Sequence, residues 1–132
     1  MNSTKTISFG IVGCGIIARL HALAIAGVPG ARLLGACSKT YSSTEKFCTE
    51  CNIRPFADYE QMLAEPELDA VVICTPSGEH AGQILAALQA GKHVVVEKPM
   101  CLTLEEADAV VAMAEQTGKM VCVISQTRFS DG

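Results

Sequence analysis

Ile7-Ser8-Phe9-Gly10-Ile11-Val12-Gly13-Cys14-Gly15-Ile16-Ile17-Ala18 reads as a short buried strand running into two glycines one residue apart, with a small residue three positions on. Apolar side chains then recur at three- and four-residue steps (Ile16, Ile17, Leu20, Leu23, Ala24), which is the period of a helix. In a strand–turn–helix setting this G-x-G-x-x-A spacing has a chemical meaning. Gly13 permits the tight turn, Gly15 leaves room for a pyrophosphate against the backbone, and Ala18 lets the helix lie close to the strand. The start of the helix offers N–H groups without intrahelical partners, and its dipole favours an anion there. Gly13, Gly15, Ile16 and Ile17 are therefore predicted to contact the cofactor. The competing reading is a glycine-rich turn that binds nothing, and the flanking strand and helix weigh against it.

Outward from this turn the same grammar repeats. After Gly27-Val28-Pro29-Gly30 a second strand runs from Arg32 to Cys37. Ser42 and Glu45 have capping-box spacing and predict a helix reaching about Cys51. Ile53 to Phe56 is a third strand, confined by Pro55 to an edge, and Tyr59 to Ala64 a short helix closed by Pro66. The β-branched run Ala70 to Cys74 predicts a strand covered on both faces. Ser77 is the expected cap of the next helix, whose stripe of Ile84, Leu85 and Leu88 ends at Gly91. His93 to Val96 is a fifth strand ending in Glu97-Lys98-Pro99. Thr103 and Glu106 form a second capping box, their helix stops at Gly118, and Met120 to Ile124 is a sixth strand.

Six strands alternating with helices predict the α/β class, a doubly wound parallel sheet in the order 3-2-1-4-5-6. Ligands of such a sheet lie beyond the carboxyl ends of the strands, where the order reverses. The unusual polar residues collect there: Gly13 and Gly15, Ser38 and Lys39, Thr75 to His80, Glu97 to Pro99, and Gln126 with Arg128. Residues 1–125 are expected to form one dinucleotide-binding domain, and 126–132 to begin a linker.

The bulk numbers agree with one globular core. The chain has 132 residues, 49% of them apolar, and a formal charge of −4, which argues against nucleic acid as a partner. No apolar run approaches the roughly 20 residues that cross a bilayer, and no signal-peptide pattern precedes the first strand, so a soluble, cytoplasmic protein is expected. Seven cysteines suit a reducing compartment, and Cys37, Cys74 and Cys122 sit in apolar runs, where a thiol acts as a small hydrophobe. Cys48-Thr49-Glu50-Cys51 has metal or redox spacing, but nothing completes a tetrahedral set, so no metal is expected.

The second strand ends at Ser38, 23 residues past Gly15, near where NAD-binding domains place a carboxylate for the ribose 2′-hydroxyl. Ser38-Lys39 offers a hydroxyl and a cation instead, which favours the 2′-phosphate of NADP over NAD. The alternative is that both residues cap a solvated loop.

Three stretches resemble the glucose–fructose oxidoreductase / inositol dehydrogenase (Gfo/Idh/MocA) family: Gly13 to Ala18 with His21, Cys74-Thr75-Pro76-Ser77-Gly78-Glu79-His80, and Ala90 to Pro99. Ser77 stands where that family commonly has Asn, and Ser38 where it commonly has Asp. The resemblance implies a Rossmann fold binding NADP or NAD, with Thr75, Pro76, Ser77, His80, Glu97 and Lys98 on the cofactor side. It further implies that Lys98 lies beside the nicotinamide and holds the substrate hydroxyl, a sugar, polyol or inositol being the substrate class. An ammonium there can stabilise a developing alkoxide as hydride leaves. Glu97 is expected to hold Lys98, Pro99 to stiffen the turn, His80 to pack on the cofactor side, and His21 to be structural.

Family members carry a second α/β domain with the principal acid/base, and the chain is expected to lack it. Of the three histidines, His21, His80 and His93, none takes that role. The resemblance then implies the cofactor half of an oxidoreductase, binding dinucleotide without turnover. Val121, Val123 and Ile124 would be left partly uncovered, favouring a homo-oligomer. Two other readings compete: a dinucleotide-sensing or regulatory module, which has no use for Lys98, and a methyltransferase-like domain, which gives no reason for Glu97-Lys98-Pro99.

Overall fold

The computed structural model describes residues 5–124. The strands are β1 (Ile7–Val12), β2 (Ala31–Cys37), β3 (Arg54–Pro55), β4 (Ala70–Ile73), β5 (His93–Glu97) and β6 (Val121–Ile124), and the helices α1 (Ile16–Ala26), α2 (Tyr41–Cys51), α3 (Tyr59–Leu63), α4 (His80–Gln89) and α5 (Leu104–Thr117). All strand pairs are parallel, and the order is β3-β2-β1-β4-β5-β6. The order reverses between β1 and β4, whose carboxyl ends, Val12 and Ile73, lie side by side.

Strand alternation explains how one run of β-branched residues serves two cores. Val71 and Ile73 on β4 join Met62, Ile84, Leu88 and Val110 under α3, α4 and α5. Val72, between them, points the other way and joins Ile11, Ala18, Ile25, Ala36 and Phe47 under α1 and α2. All three β4 residues are almost fully buried, each stabilising the fold by roughly 2 kcal/mol. Ala18 is completely buried, as a helix pressed onto a sheet requires.

Local starts and stops differ from expectation in instructive places. The α2 helix begins at Tyr41 with Thr40 as cap in place of Ser42, and the Thr40 side chain bonds no backbone amide of the first turn. The earlier start follows from Thr44: its amide donates to Thr40 O (3.2 Å) and its buried hydroxyl meets Ser38 Oγ (2.8 Å). Ser77 caps no α-helix. It opens a single 3₁₀ turn, Ser77–Glu79, which Pro76 closes by accepting from Glu79 N, and α4 starts at His80. The Thr103–Glu106 capping box is present in full. Cys122 is exposed, not embedded, because β6 is an edge strand, and Val123 is exposed beside it. Gln126 and Arg128, like the boundary expected at 125–126, lie outside the described residues.

Candidate functional site

A cleft of about 570 Å³ opens along the carboxyl edge of the sheet over β1, β2 and β4. Its floor is Val12, Gly13, Cys14 and Gly15, one wall is Ser38 to Thr40 with Ser43, and the far wall holds Cys74, Thr75 and Pro76. The β1–α1 turn is set by Gly13. Its φ of +95° is strained for any L side chain, and an added Cβ would stand 2.8 Å from the backbone of Cys74. Gly13 N also donates to Cys37 O (2.9 Å), tying the turn to the end of β2.

Gly15 has the opposite character. Its φ is −93°, which any residue adopts, and an added Cβ would meet nothing within 4 Å. Among the described residues no contact requires the glycine, and Gly15 is part of the lining of the cleft. Gly15 caps α1 without a side-chain bond, and the first turn of α1 carries no acid. Bare amides facing an open floor fit a diphosphate.

The electrostatics agree. Burial raises the Cys14 thiol above its ordinary range and pushes the thiols of Cys37 and Cys74 up to about 12, so all three stay neutral and add no negative charge to the cleft. Lys39 is an exposed cation in the wall. Asp58 also lines the cleft, but its carboxylate accepts from Gln61 N (2.8 Å) as the cap of α3. Ser38 Oγ donates to Thr40 O (3.0 Å) and meets Thr44, so its hydroxyl is engaged in the loop itself. The hydroxyls left in that wall are those of Thr40 and Ser43, which bond each other at 2.8 Å.

Past β4 lie the residues expected at the reactive end. The Lys98–Pro99 bond is cis, and Lys98 is exposed. The expectation drawn with the family resemblance, that Glu97 holds Lys98, is not met: the carboxylate takes another partner. Its Oε1 accepts from Nε2 of His21, 2.7 Å away on α1. Strand alternation is the reason: Glu97, two residues past Val95, faces the α1 side of the sheet, where His21 lies. His80 is 2% exposed, with Nδ1 at 2.7 Å from Pro99 O and Nε2 at 2.8 Å from Thr75 O.

Of the predicted residues, Gly13, Gly15, Ser38, Lys39, Thr75 and Pro76 share the wall of one cleft. Ile16 is 80% exposed at the start of α1, followed by Ile17. Ser77, His80, Glu97 and Lys98 sit on the neighbouring turns, outside that wall. Sequence reasoning missed Thr40, Ser43, Tyr59 and Gln83. Tyr59 donates to Gln83 O (2.7 Å), and the Thr75 hydroxyl donates to the Gln83 side chain, bracing the far wall. Placing the start of α2 at Thr40 would have revealed Thr40 and Ser43.

In the Cys48–Cys51 pair, burial pushes Cys48 up to about 11, and its Sγ lies 3.6 Å from Arg54 O. No group of three metal-ligating side chains occurs among the described residues. No helix among them is long and apolar enough to cross a membrane.

Residues 7–125 match the model of a family described as "Oxidoreductase family, NAD-binding Rossmann fold". The chain belongs to that family, GFO_IDH_MocA. Among its members, scyllo-inositol 2-dehydrogenase (NAD(+)) of Bacillus subtilis is 32% identical over 123 residues, 92% of this chain and 36% of its own. The WlbA dehydrogenase of Bordetella pertussis, solved with NADH and UDP-GlcNAcA, superposes with a TM-score of 0.89 at 36% identity, over 97% of this chain and 37% of its own. Biliverdin reductase of Synechocystis sp. PCC 6803, solved with biliverdin and NADP+, gives 0.83 at 33% identity, over 89% and 37%. The chain thus spans just over a third of the length of these GFO_IDH_MocA relatives, which between them use either dinucleotide.

Proposed function

We propose that the chain is the cofactor-binding part of an NAD(P)-dependent oxidoreductase acting on a sugar, inositol or related alcohol or ketone. By itself it holds the dinucleotide without turnover. The observation that carries this reading is Gly15, a glycine with open space before it at the bare start of α1. Gly13 to Ile17 hold the diphosphate through backbone amides, and Thr75, Pro76 and Ser77 border the ribose and ring beyond it. The bound nicotinamide supplies the hydride acceptor or donor. Lys98 hydrogen-bonds the substrate oxygen, stabilising the alkoxide form and moving its proton. Glu97 sets the strand end from which Lys98 projects.

NADP is the favoured cofactor. Lys39 is the cation for its 2′-phosphate, supported by the hydroxyls of Thr40 and Ser43 rather than by that of Ser38. The protein is read as cytoplasmic, its free cysteines fitting a reducing compartment. Exposed Met120 and Val123 at the β6 edge favour self-association.

Titration calorimetry with NADPH and NADH tests this reading. Tighter NADPH binding is expected. Tighter NADH binding overturns the cofactor preference, and binding of neither overturns the function. Reduction of NADP+ or NAD+ by polyols with this chain alone would contradict the claim that it does not turn over.

A further inference from the structure

Two histidines with no part in the chemistry converge on the Glu97-Lys98-Pro99 turn from different helices. His21 on α1 bonds the side chain of the residue before Lys98, with only 16% and 17% of the two side chains exposed. His80 on α4 faces the backbone carbonyl of the residue after Lys98, and its other nitrogen faces Thr75 O at the end of β4. Both facing atoms of His80 are carbonyl oxygens, so each accepts whenever its nitrogen carries a proton. Lys98 itself lies exposed between these two anchors.

We infer that His21 and His80 are positioning residues that grip the turn on either side of Lys98 and so fix where its ammonium stands. Three features separate this from ordinary packing. Both contacts join elements far apart in sequence, 76 residues for His21 and 19 for His80. His21 ends on Glu97 and His80 on Pro99, the residues on either side of Lys98. His80, nearly fully buried, also stands between the Lys98 turn and the Thr75 turn, its other nitrogen 2.8 Å from Thr75 O. A partly buried carboxylate bonded at 2.7 Å resists rotation, because leaving it unpaired costs more than the bond contributes.

The inference rests on the reading that Lys98 stands at the nicotinamide, and the test separates the two. The quantity measured is the ratio of Kd for oxidised over reduced dinucleotide, taken with whichever of NADP and NAD the chain binds tighter. A cation beside the ring disfavours the positively charged oxidised form, so Lys98→Ala should lower this ratio by at least about threefold. The clamp predicts that His21→Ala lowers it in the same direction, that His21→Gln restores it, and that the double variant His21→Ala/Lys98→Ala falls no further than Lys98→Ala. Binding of the matching ADP-ribose, which lacks nicotinamide, should be unchanged in the His21 and Lys98 variants and confirms that each is folded. His80→Gln should act like His21→Ala; should it fail to fold, the His21 variants decide. A ratio unmoved by His21→Ala, or an additive double variant, overturns the clamp alone. A ratio unmoved by Lys98→Ala overturns the placement of Lys98, and the clamp with it.

Discussion

Helices α1 and α5 both start at the carboxyl edge of the sheet, yet their first turns are finished in opposite ways. The Thr103 hydroxyl accepts from Glu106 N (3.1 Å), and Glu106 Oε1 accepts from the amides of Leu102 (2.8 Å) and Thr103 (3.1 Å). Glu105 and Glu106 add negative charge beside those donors. The amides of α5 are answered within the chain, and its dipole is complemented. At α1 the cap is a glycine, no side chain folds back, and no acid occupies the first turn. The fold therefore leaves one helix start open on its ligand edge and closes another with its own side chains. A missing side-chain cap is shared with α2 and α4; what sets α1 apart is that its cap is the second glycine of a turn that lines the cleft.

The contrast can be broken at three points. Gly13→Ala should have the largest effect, since a side chain at φ +95° with its Cβ 2.8 Å from Cys74 must displace the turn. A loss on the order of 2–4 kcal/mol in urea unfolding is expected, with dinucleotide binding abolished. Gly15→Asp should leave the fold intact and act with opposite signs on stability and affinity. Its carboxylate caps α1 and adds about 0.5–1 kcal/mol to stability, while repelling the diphosphate and weakening NADPH by more than about tenfold. A stabilised variant that still binds as tightly would show that the open helix start has no part in binding. Thr103→Ala should have the smallest effect, costing about 1 kcal/mol in thermal or urea unfolding and leaving affinity untouched, because the first-turn amides of α5 are already answered within the chain.

Much of this was legible in the sequence for reasons the structure makes plain. The strand order followed from six short strand-like runs alternating with helices, and the β-branched run at Val71-Val72-Ile73 has a core on each face. Gly13 and Gly15 were legible because a two-glycine turn between a strand and a helix has few physical explanations. Thr103 and Glu106 were legible because a capping box is local. The same rule failed at Ser42 and Glu45, where a buried contact between Ser38 and Thr44 moved the helix start two residues earlier. It failed again at Ser77, where Pro76 closed a 3₁₀ turn instead. The partner of Glu97 was invisible for a different reason. His21 and Glu97 are 76 residues apart, and only the packing of α1 against the sheet brings them to 2.7 Å. Adjacency in sequence pointed to Lys98; the alternation of strand side chains pointed elsewhere.

The central claim is that the amides opening α1 receive the diphosphate of a nicotinamide dinucleotide. Proton–nitrogen correlation spectra of the labelled chain during titration with NADPH test it residue by residue. The largest shifts are expected at the amides of Gly13, Cys14, Gly15, Ile16 and Ile17, with those of Thr103 to Glu106 stationary. Shifts confined to other residues, or none at saturating nucleotide, would contradict it.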